Sequence, residues 1–180
     1  TPSIVEQWVN HQTELAVVVA RSTSGTCVSY PVVEMACSPT NQVLELATSP
    51  ASISTDIEQQ ARALGERIVA ALNGVGLFAI ELFLTTDGQI LVNEISPRVH
   101  NSGHMTIEAH QTSQYTQHLL AITGQTLGGT QQINPAAMRN ILYEDRMTEL
   151  CGLPVSRWQH DPQTVVHWYG KTQGVQGRKM

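Results

Sequence analysis

The fold of this chain is decided by Val75-Gly-Leu-Phe-Ala-Ile-Glu-Leu-Phe-Leu-Thr-Thr-Asp-Gly-Gln-Ile-Leu-Val-Asn-Glu-Ile-Ser96. Two apolar runs are joined through Asp87-Gly88, and Asp-Gly between two such runs is a strong signal for a β-hairpin. If a two-residue turn is centred on Asp87-Gly88, residues whose numbers sum to 175 face each other across the two strands. The sequence therefore predicts that Glu81 lies directly opposite Glu94.

This glutamate pair needs an explanation, because like charges at directly opposed positions destabilise a hairpin. Its neighbours on both strands are apolar, so an ordinary solvated surface does not account for it. Two carboxylates beside the amide of Asn93 are hard oxygen ligands suited to Mg²⁺. Two alternatives remain open. A register shifted by one residue would place the pair on opposite faces, and a dyad sharing one proton would perform acid–base chemistry.

The loop after the hairpin is dense in polar side chains. Within seven positions it carries Arg98, His100, Asn101, Ser102 and His104. Arginine binds planar oxyanions through two parallel hydrogen bonds, and amide and imidazole groups orient them. This composition predicts a site for bicarbonate or a phosphate, and the alternative is a hydrogen-bonded loop that binds no ligand.

The remaining pattern predicts an α+β protein with antiparallel strands. Strands rich in Val, Ile, Tyr and Trp are expected over residues 4–9, 15–21 and 27–35. Helical spacing follows over residues 57–72, with Thr55 and Glu58 as a capping box and Asn73-Gly74 as the stop. We expect a second helix over residues 113–123 and short strands over residues 138–143 and 165–169.

The composition is that of a soluble, mildly acidic globular protein. There are 180 residues, 10 basic and 15 acidic side chains, and a net charge of −5. This balance argues against nucleic-acid binding, which relies on clustered Lys and Arg. No apolar run reaches the roughly eighteen residues of a membrane span, so we expect a cytoplasmic protein without a membrane partner. Cys27, Cys37 and Cys151 lack disulfide or metal-ligand spacing, which favours a reducing compartment.

Several motifs together resemble one known family. They are Glu81-Leu-Phe, Asp87-Gly88, Val92-Asn-Glu-Ile-Ser-Pro-Arg-Val-His-Asn-Ser-Gly-His104, Thr106-Ile-Glu-Ala, Thr112-Ser-Gln-Tyr and His167-Trp-Tyr-Gly-Lys171. They resemble the 5-(carboxyamino)imidazole ribonucleotide synthases, the ATP-grasp carboxylases of purine biosynthesis. An acidic residue followed by Asn-Glu occurs throughout ATP-grasp ligases, whereas the Pro-Arg-x-His-Asn-Ser-Gly-His string is much narrower. The resemblance extends across nearly the whole chain.

The resemblance implies a role for each matching residue. Glu6 and Glu14 would lie at the adenine-ribose end of the ATP cleft, and Asn93 would also belong to the cofactor site. Glu81 and Glu94 would bind Mg²⁺, in agreement with the hairpin argument. The residues implied to hold bicarbonate and carboxyphosphate are Arg98, His100 and Asn101. Those implied to lie near the ribonucleotide phosphate are Lys171, Arg178 and Lys179, for which a solvated basic tail is the alternative.

The resemblance further implies an ATP-grasp carboxy-terminal lobe over residues 1–128 and a small β-rich domain over residues 129–180. The implied activity is ATP- and Mg²⁺-dependent carboxylation of 5-aminoimidazole ribonucleotide with bicarbonate by a homodimer. The chain opens on Thr1-Pro2 and carries no triphosphate-binding loop, so we expect a fragment that is inactive by itself. The segment Arg139-Asn-Ile-Leu-Tyr-Glu departs from the family pattern. The rival function is a non-catalytic nucleotide-binding or interaction module of ATP-grasp origin.

Overall fold

A computed structural model describes residues 3–38, 43–143, 162–171, 175 and 179 of the chain. These residues form two compact units. The first lies within Thr1–Ala36 and Leu46–Met138, and the second within Cys37–Glu45 and Arg139–Met180. No helix in the described part of the chain is both long and apolar enough to cross a membrane.

The elements alternate between antiparallel strands and a few helices, which confirms the predicted α+β class. The strands are β1 (His11–Arg21), β2 (Cys27–Ser29), β3 (Val33–Cys37), β4 (Leu44–Ser49), β5 (Gly76–Thr85), β6 (Ile90–Ser96) and β7 (Ala136–Arg139). The helices are α1 (Thr55–Leu72), α2 (Thr106–Ala109) and α3 (Gln114–Ile122), with a 3₁₀ turn at Asn101–Gly103. All seven strands belong to one sheet in the order β6-β5-β1-β3-β4-β7, and β2 pairs with β1.

Strand β1 lies inside the sheet because its sequence is apolar on both faces. Every residue from Leu15 to Ala20 is at most 1% exposed. Its odd-numbered side chains join Ile80 and Leu82 of β5 in a core that packs against α1. Its even-numbered residues Val18 and Ala20 belong to a second cluster on the opposite face. Alternate residues of a strand point to opposite faces, so the sheet has an α1 face and a second face, which we call the site face.

Helix α1 covers its face of the sheet over 18 residues and ends where the sequence predicts. Asn73 takes the left-handed conformation, with φ of 50°, and its N–H donates to the Ala70 carbonyl. The predicted capping box is wrong in its residues, because Ser54 accepts the Ile57 N–H and is the N-cap. Serine at this position accepts one of the N–H groups that the first helical turn leaves unpaired.

The β5–β6 hairpin has the predicted pairing but a different turn. Thr85 and Gln89 close a three-residue loop, and Gly88 has φ of 82° as the left-handed residue of that loop. Leu84 therefore pairs with Ile90, one position away from the predicted register. A bulge between the two ends of the hairpin then restores the register, because β6 contains one extra residue there. Glu81 pairs with Glu94, which confirms the prediction although its premise of a two-residue turn was wrong.

Other predicted strands differ from the structure. Residues 4–9 form no strand and expose Ile4, Val5 and Trp8 by 83–95%, since no described strand pairs with them. The predicted strand 27–35 is interrupted at Tyr30-Pro31, where proline has no N–H to donate to a ladder. Residues 165–169 are not a strand, and in 138–143 only the end of β7 and a bridge at Leu142 are β structure. Strand β4 was not predicted.

Candidate active site on the hairpin and the following loop

The opposed glutamates lie on the site face of the sheet. Glu81 pairs with Ala16 of β1 on one side and with Glu94 of β6 on the other. It is partly buried, whereas Glu94 on the edge strand is exposed. The hydroxyl of Ser96 donates to Glu94 Oε1 at 3.1 Å. Directly opposed residues on an antiparallel pair share one face, with Cβ atoms roughly 4.5–5.5 Å apart, so the two carboxylates can act on one ligand.

The Glu81 carboxylate has two neighbours that the pairing alone did not predict. Asn93 Nδ2 donates to its Oε2 at 3.5 Å, and His100 Nε2 lies 3.4 Å from its Oε1. The other ring nitrogen of His100, Nδ1, accepts the backbone N–H of Ser102. This hydrogen bond assigns the proton of neutral His100 to Nε2, so His100 donates to Glu81. The glutamate pair and the polar loop therefore form one site.

The donor set fits a magnesium ion that shares its coordination with a substrate. Among the described residues there is no group of three or more His, Cys, Asp and Glu side chains that could hold a metal by itself. Mg²⁺ is typically bound by one or two carboxylates, and water and substrate phosphates fill its remaining positions. Glu81 and Glu94 provide two carboxylates, and the Asn93 amide is adjacent. Their role as metal ligands stays a prediction.

The loop that follows β6, residues 97–104, is called the site loop. Its Arg98 is exposed, and Nη1 of the guanidinium donates to the Val99 carbonyl at 3.1 Å. Asn101 begins the 3₁₀ turn, and the buried residues Ser102 and Gly103 complete it. The turn anchors the loop, and the exposed guanidinium of Arg98 has five N–H donors, of which Nη1 makes the bond to Val99. The structure thus brings the polar loop to Glu81 through His100 and leaves Arg98 accessible to an anion.

A second group of side chains lies further along β1 on the site face. Glu14 pairs with Phe83 of β5, and His11 Nε2 lies 3.5 Å from Glu14 Oε1. The rings of His11 and Phe83 stack with centroids 4.5 Å apart and an interplanar angle of 18°. We call this group the aromatic platform. Sequence reasoning selected Glu14 but missed His11 and Phe83. The alternation of β5 was an available signal, because Phe83 follows Glu81 by two positions.

The other predicted site residues are less well connected. Glu6 is exposed and belongs to no regular element. In the second unit, Lys171 Nζ donates to the Lys179 carbonyl at 2.6 Å and lies 5.8 Å from the centre of the Tyr169 ring. Arg178 lies outside the described residues, as does Cys151. Cys27 and Cys37 are free thiols, and burial raises the pKa of Cys27.

Sequence reasoning also missed a buried glutamine. Gln114 is fully buried at the start of α3, and its amide is hydrogen-bonded to the backbone of His100. A polar residue on the buried side of a helix was the available signal, since a buried amide needs partners. Its partner could not be read from the sequence, because the contact depends on how α3 packs against the site loop.

Two family models match the chain. Residues 1–115 match the ATP-grasp domain, and residues 136–180 match the phosphoribosylaminoimidazole carboxylase C-terminal domain. The chain is 38% identical over 181 residues to the N5-carboxyaminoimidazole ribonucleotide synthase of Bacillus subtilis, covering 98% of this chain and 45% of that protein. The chain thus spans less than half the length of this relative.

Solved structures that resemble this chain include enzymes of nearly the same name. The N5-carboxyaminoimidazole ribonucleotide synthetase of Thermus thermophilus has a TM-score of 0.85 at 35% identity, covering 96% of this chain and 45% of that one. The N5-carboxyaminoimidazole synthase of Aspergillus clavatus, in complex with ADP and 5-aminoimidazole ribonucleotide, has a TM-score of 0.87 at 34% identity. The match covers 96% of this chain and 46% of the Aspergillus clavatus chain. The predicted fold class and family resemblance are both confirmed, and the chain belongs to the ATP-grasp family.

Proposed function

We propose that this chain is the carboxy-terminal part of an N5-carboxyaminoimidazole ribonucleotide synthase. The complete enzyme would be a cytoplasmic, homodimeric ligase of de novo purine biosynthesis that uses ATP and Mg²⁺. The observation that carries the proposal is the single site formed by Glu81, Glu94 and His100 on one face of the sheet. A metal-binding carboxylate pair next to an oxyanion-binding loop is what an ATP-dependent carboxylation of an amine requires.

The reaction has two steps. An oxygen of bicarbonate attacks the γ-phosphorus of ATP, which forms carboxyphosphate and releases ADP. The amine of 5-aminoimidazole ribonucleotide then attacks the carboxyl carbon, and inorganic phosphate leaves. Bicarbonate is a poor electrophile, and phosphorylation gives it a leaving group.

Glu81 and Glu94 would hold Mg²⁺, with the Asn93 amide beside them. When bound, the ion would neutralise charge on the phosphate oxygens during transfer. Because Glu81 lies at the centre of β5 and accepts from His100, its carboxylate is held in place before the nucleotide arrives. A carboxylate ligand that is already held in place costs little reorganisation during the reaction.

Arg98, His100 and Asn101 would bind bicarbonate and the carboxyphosphate made from it. The guanidinium of Arg98 is exposed next to the site loop and matches a planar carboxylate or phosphate with two parallel hydrogen bonds. The loop is anchored by its 3₁₀ turn, which supports a fixed geometry of binding. The loop would also exclude water from a labile intermediate.

The aromatic platform would receive the nucleoside end of ATP. Its stacked rings offer a flat surface, and Glu14 offers a carboxylate that accepts hydrogen bonds from ribose hydroxyls. Glu6 would extend the same end of the cleft. Lys171, Arg178 and Lys179 would bind the phosphate of 5-aminoimidazole ribonucleotide. The Lys171 side chain is exposed, so it can reach a phosphate. The Tyr169 ring, 5.8 Å from Lys171 Nζ, would help to hold the ammonium group in place.

The test compares this chain alone with a chimera in which it replaces the matching part of the Bacillus subtilis relative. The chimera is expected to release ADP only when bicarbonate and 5-aminoimidazole ribonucleotide are both present. The 180-residue chain alone is expected to show negligible turnover, because the chain spans only 45% of that relative.

Two outcomes would overturn the proposal. Turnover by the chain alone in the usual enzymatic range, about 1–10³ per second, would show that it needs no further segment. A chimera that binds ATP and folds but releases ADP without regard to bicarbonate would contradict the carboxylation. Binding without turnover in the chimera would favour the rival function, a nucleotide-binding module.

A further inference from the structure

Helix α3 carries two fully buried glutamines, Gln114 and Gln117, one turn apart. Each pairs with the backbone of a single residue through both atoms of its amide. The His100 N–H donates to Gln114 Oε1 at 2.9 Å, and Gln114 Nε2 donates to the His100 carbonyl at 2.8 Å. Gln117 forms the same two bonds with Gly128, both at 2.8 Å. One glutamine therefore holds the site loop, and the other holds a segment outside the site.

The backbone fixes the orientation of the Gln114 amide. A backbone N–H can only donate, so the side-chain atom that faces the His100 nitrogen must be the oxygen. The NH₂ group then has two protons to donate. One goes to the His100 carbonyl, and the other points to Nδ1 of His104 at 3.0 Å.

This orientation determines the tautomer of His104. An amide NH₂ cannot accept, so His104 Nδ1 must be the unprotonated nitrogen, and the neutral ring carries its proton on Nε2. The Tyr115 hydroxyl lies 2.8 Å from the same Nδ1. A hydroxyl can either donate or accept, so it adapts to the tautomer that the glutamine sets.

The close approach of Gln114 to the loop requires a glycine. A Cβ added at Gly103 would lie 2.5 Å from Gln114 Oε1, closer than any side chain tolerates without movement. Thr106 completes the junction, because its hydroxyl accepts the Gln114 backbone N–H at 2.8 Å and donates to the Gly103 carbonyl. The site loop is thus shaped around this one amide.

From this geometry we infer that Gln114 is a positioning residue that holds His100 against Glu81 and fixes the proton of neutral His104 on Nε2. The inference rests on the proposed function only for its effect on catalysis. Gln114 need not touch substrate, because it acts through the backbone of His100 and the ring of His104. Residues that orient ligand-binding groups in this way typically affect activity about 10- to 100-fold.

The decisive variant is Gln114→Glu. Its carboxylate is isosteric and still accepts the His100 N–H, but it cannot donate to His104. The expected result is that the protonated nitrogen of His104 changes from Nε2 to Nδ1, which would then donate to the carboxylate. Nitrogen NMR of the 180-residue chain with labelled histidine measures this directly, because protonated and unprotonated ring nitrogens resonate far apart.

Two controls separate this effect from a loss of packing. Tyr115→Phe removes the hydroxyl that also contacts His104 Nδ1 and is expected to leave the proton on Nε2. Gln117→Glu breaks the matched pairing with Gly128 and is expected to lower the melting temperature as much as Gln114→Glu, without changing His104.

The catalytic consequence is tested in the chimera with the Bacillus subtilis relative. Gln114→Glu is expected to slow bicarbonate-dependent ADP release by about 10- to 100-fold while leaving ATP affinity nearly unchanged. Gln117→Glu is expected to retain the rate of the parent chimera per folded molecule.

An Nδ1 proton on His104 in the parent chain, or no change in Gln114→Glu, would overturn the inference. If Gln114→Glu and Gln117→Glu slow ADP release by the chimera equally, Gln114 has only a structural role. A parent chimera without bicarbonate dependence would instead contradict the proposed function, and the NMR result would still decide the role of Gln114 in the loop.

Discussion

The two faces of the sheet show how one strand can serve stability and chemistry at once. On the α1 face, Ile80 and Leu82 are buried in a wholly apolar core. Between them on the site face, Glu81 contacts His100 and Asn93. The alternation of side chains along a strand is enough to separate these two environments. A substitution on one face should therefore change folding, and its neighbour on the other face should change activity.

The largest expected effect is on the site face. Glu81→Gln in the chimera should abolish ATP-dependent phosphorylation, because it removes the charge of one of two proposed metal ligands. The free energy of unfolding should change by about 1 kcal/mol or less, since the amide can still accept from His100 and the repulsion from Glu94 is relieved. Normal Mg²⁺-dependent ADP release by this variant would remove the pair from the mechanism. Chemical denaturation supplies the stability measurement.

The matching change on the α1 face is at the adjacent residue. Ile80 is 0% exposed, so Ile80→Ala should lower the free energy of unfolding by about 2–5 kcal/mol through lost burial and a residual cavity. In the chimera at a temperature where the variant is folded, the dependence of the rate on Mg²⁺ should remain that of the parent. An altered Mg²⁺ dependence would show that the two faces are coupled through the strand.

A smaller effect is expected from Arg98 on the site face. It distinguishes the proposed metal site from the proposed bicarbonate site. Arg98→Ala should slow bicarbonate-dependent ADP release by about one to two orders of magnitude, which corresponds to loss of a charge-assisted hydrogen bond. Arg98→Lys keeps the charge but not the planar fork and should be only partly active. ATP affinity, measured by titration, should change little in both variants. If Arg98→Ala weakens ATP binding as much as it slows ADP release, Arg98 binds the nucleotide instead.

The smallest expected effect is a pH dependence of the free energy of unfolding, which arises from a histidine on the site face. His110 is 5% exposed beside the Tyr30 ring, and neither ring nitrogen has a hydrogen-bond partner among the described residues. Burial lowers its pKa from the ordinary value of 6.5. As the pH falls, His110 therefore takes up a proton in the unfolded chain before it does so in the folded chain. The free energy of unfolding keeps this contribution above pH 6.5 and loses it as the pH falls further.

His110→Phe should remove this part of the acid sensitivity. The measurement is the melting temperature of both proteins across the pH range from neutral to mildly acidic. An identical decline in the parent and the variant would show that other groups cause it. Phenylalanine is a suitable replacement because His110 already packs its ring edgewise against Tyr30 with centroids 5.4 Å apart.

The two faces also differ in how far the sequence predicts them. Helix α1 follows from its apolar spacing and its Asn73-Gly74 stop, and only the identity of the cap was wrong. Such features depend on residues that are close in sequence. On the site face, the contact between His100 and Glu81 depends on a loop that folds back over the sheet. The sequence identified both residues but could not predict that they touch.

The hairpin shows why a correct prediction can rest on an incorrect reason. A two-residue turn at Asp87-Gly88 predicts Glu81 opposite Glu94, and the actual three-residue turn alone would have shifted that pairing by one position. The extra residue in β6 compensates for the difference. An isolated glycine within a strand can indicate a bulge, but residues 90–96 contain none, so the compensation was found only in the structure. The metal-binding role of the pair remains a prediction for the variants above to test.

The same bulge has a consequence for the solubility of the protein. Strand β6 lies at the end of the strand order and exposes Leu91 and Val92 by 38% and 44%. A regular, apolar edge strand is a template on which a second chain can add its own strand. The irregular spacing near Asn93 interrupts the row of donors and acceptors that such a strand would need. Removing one residue there would create a longer continuous edge, and aggregation of the folded protein should increase as a result.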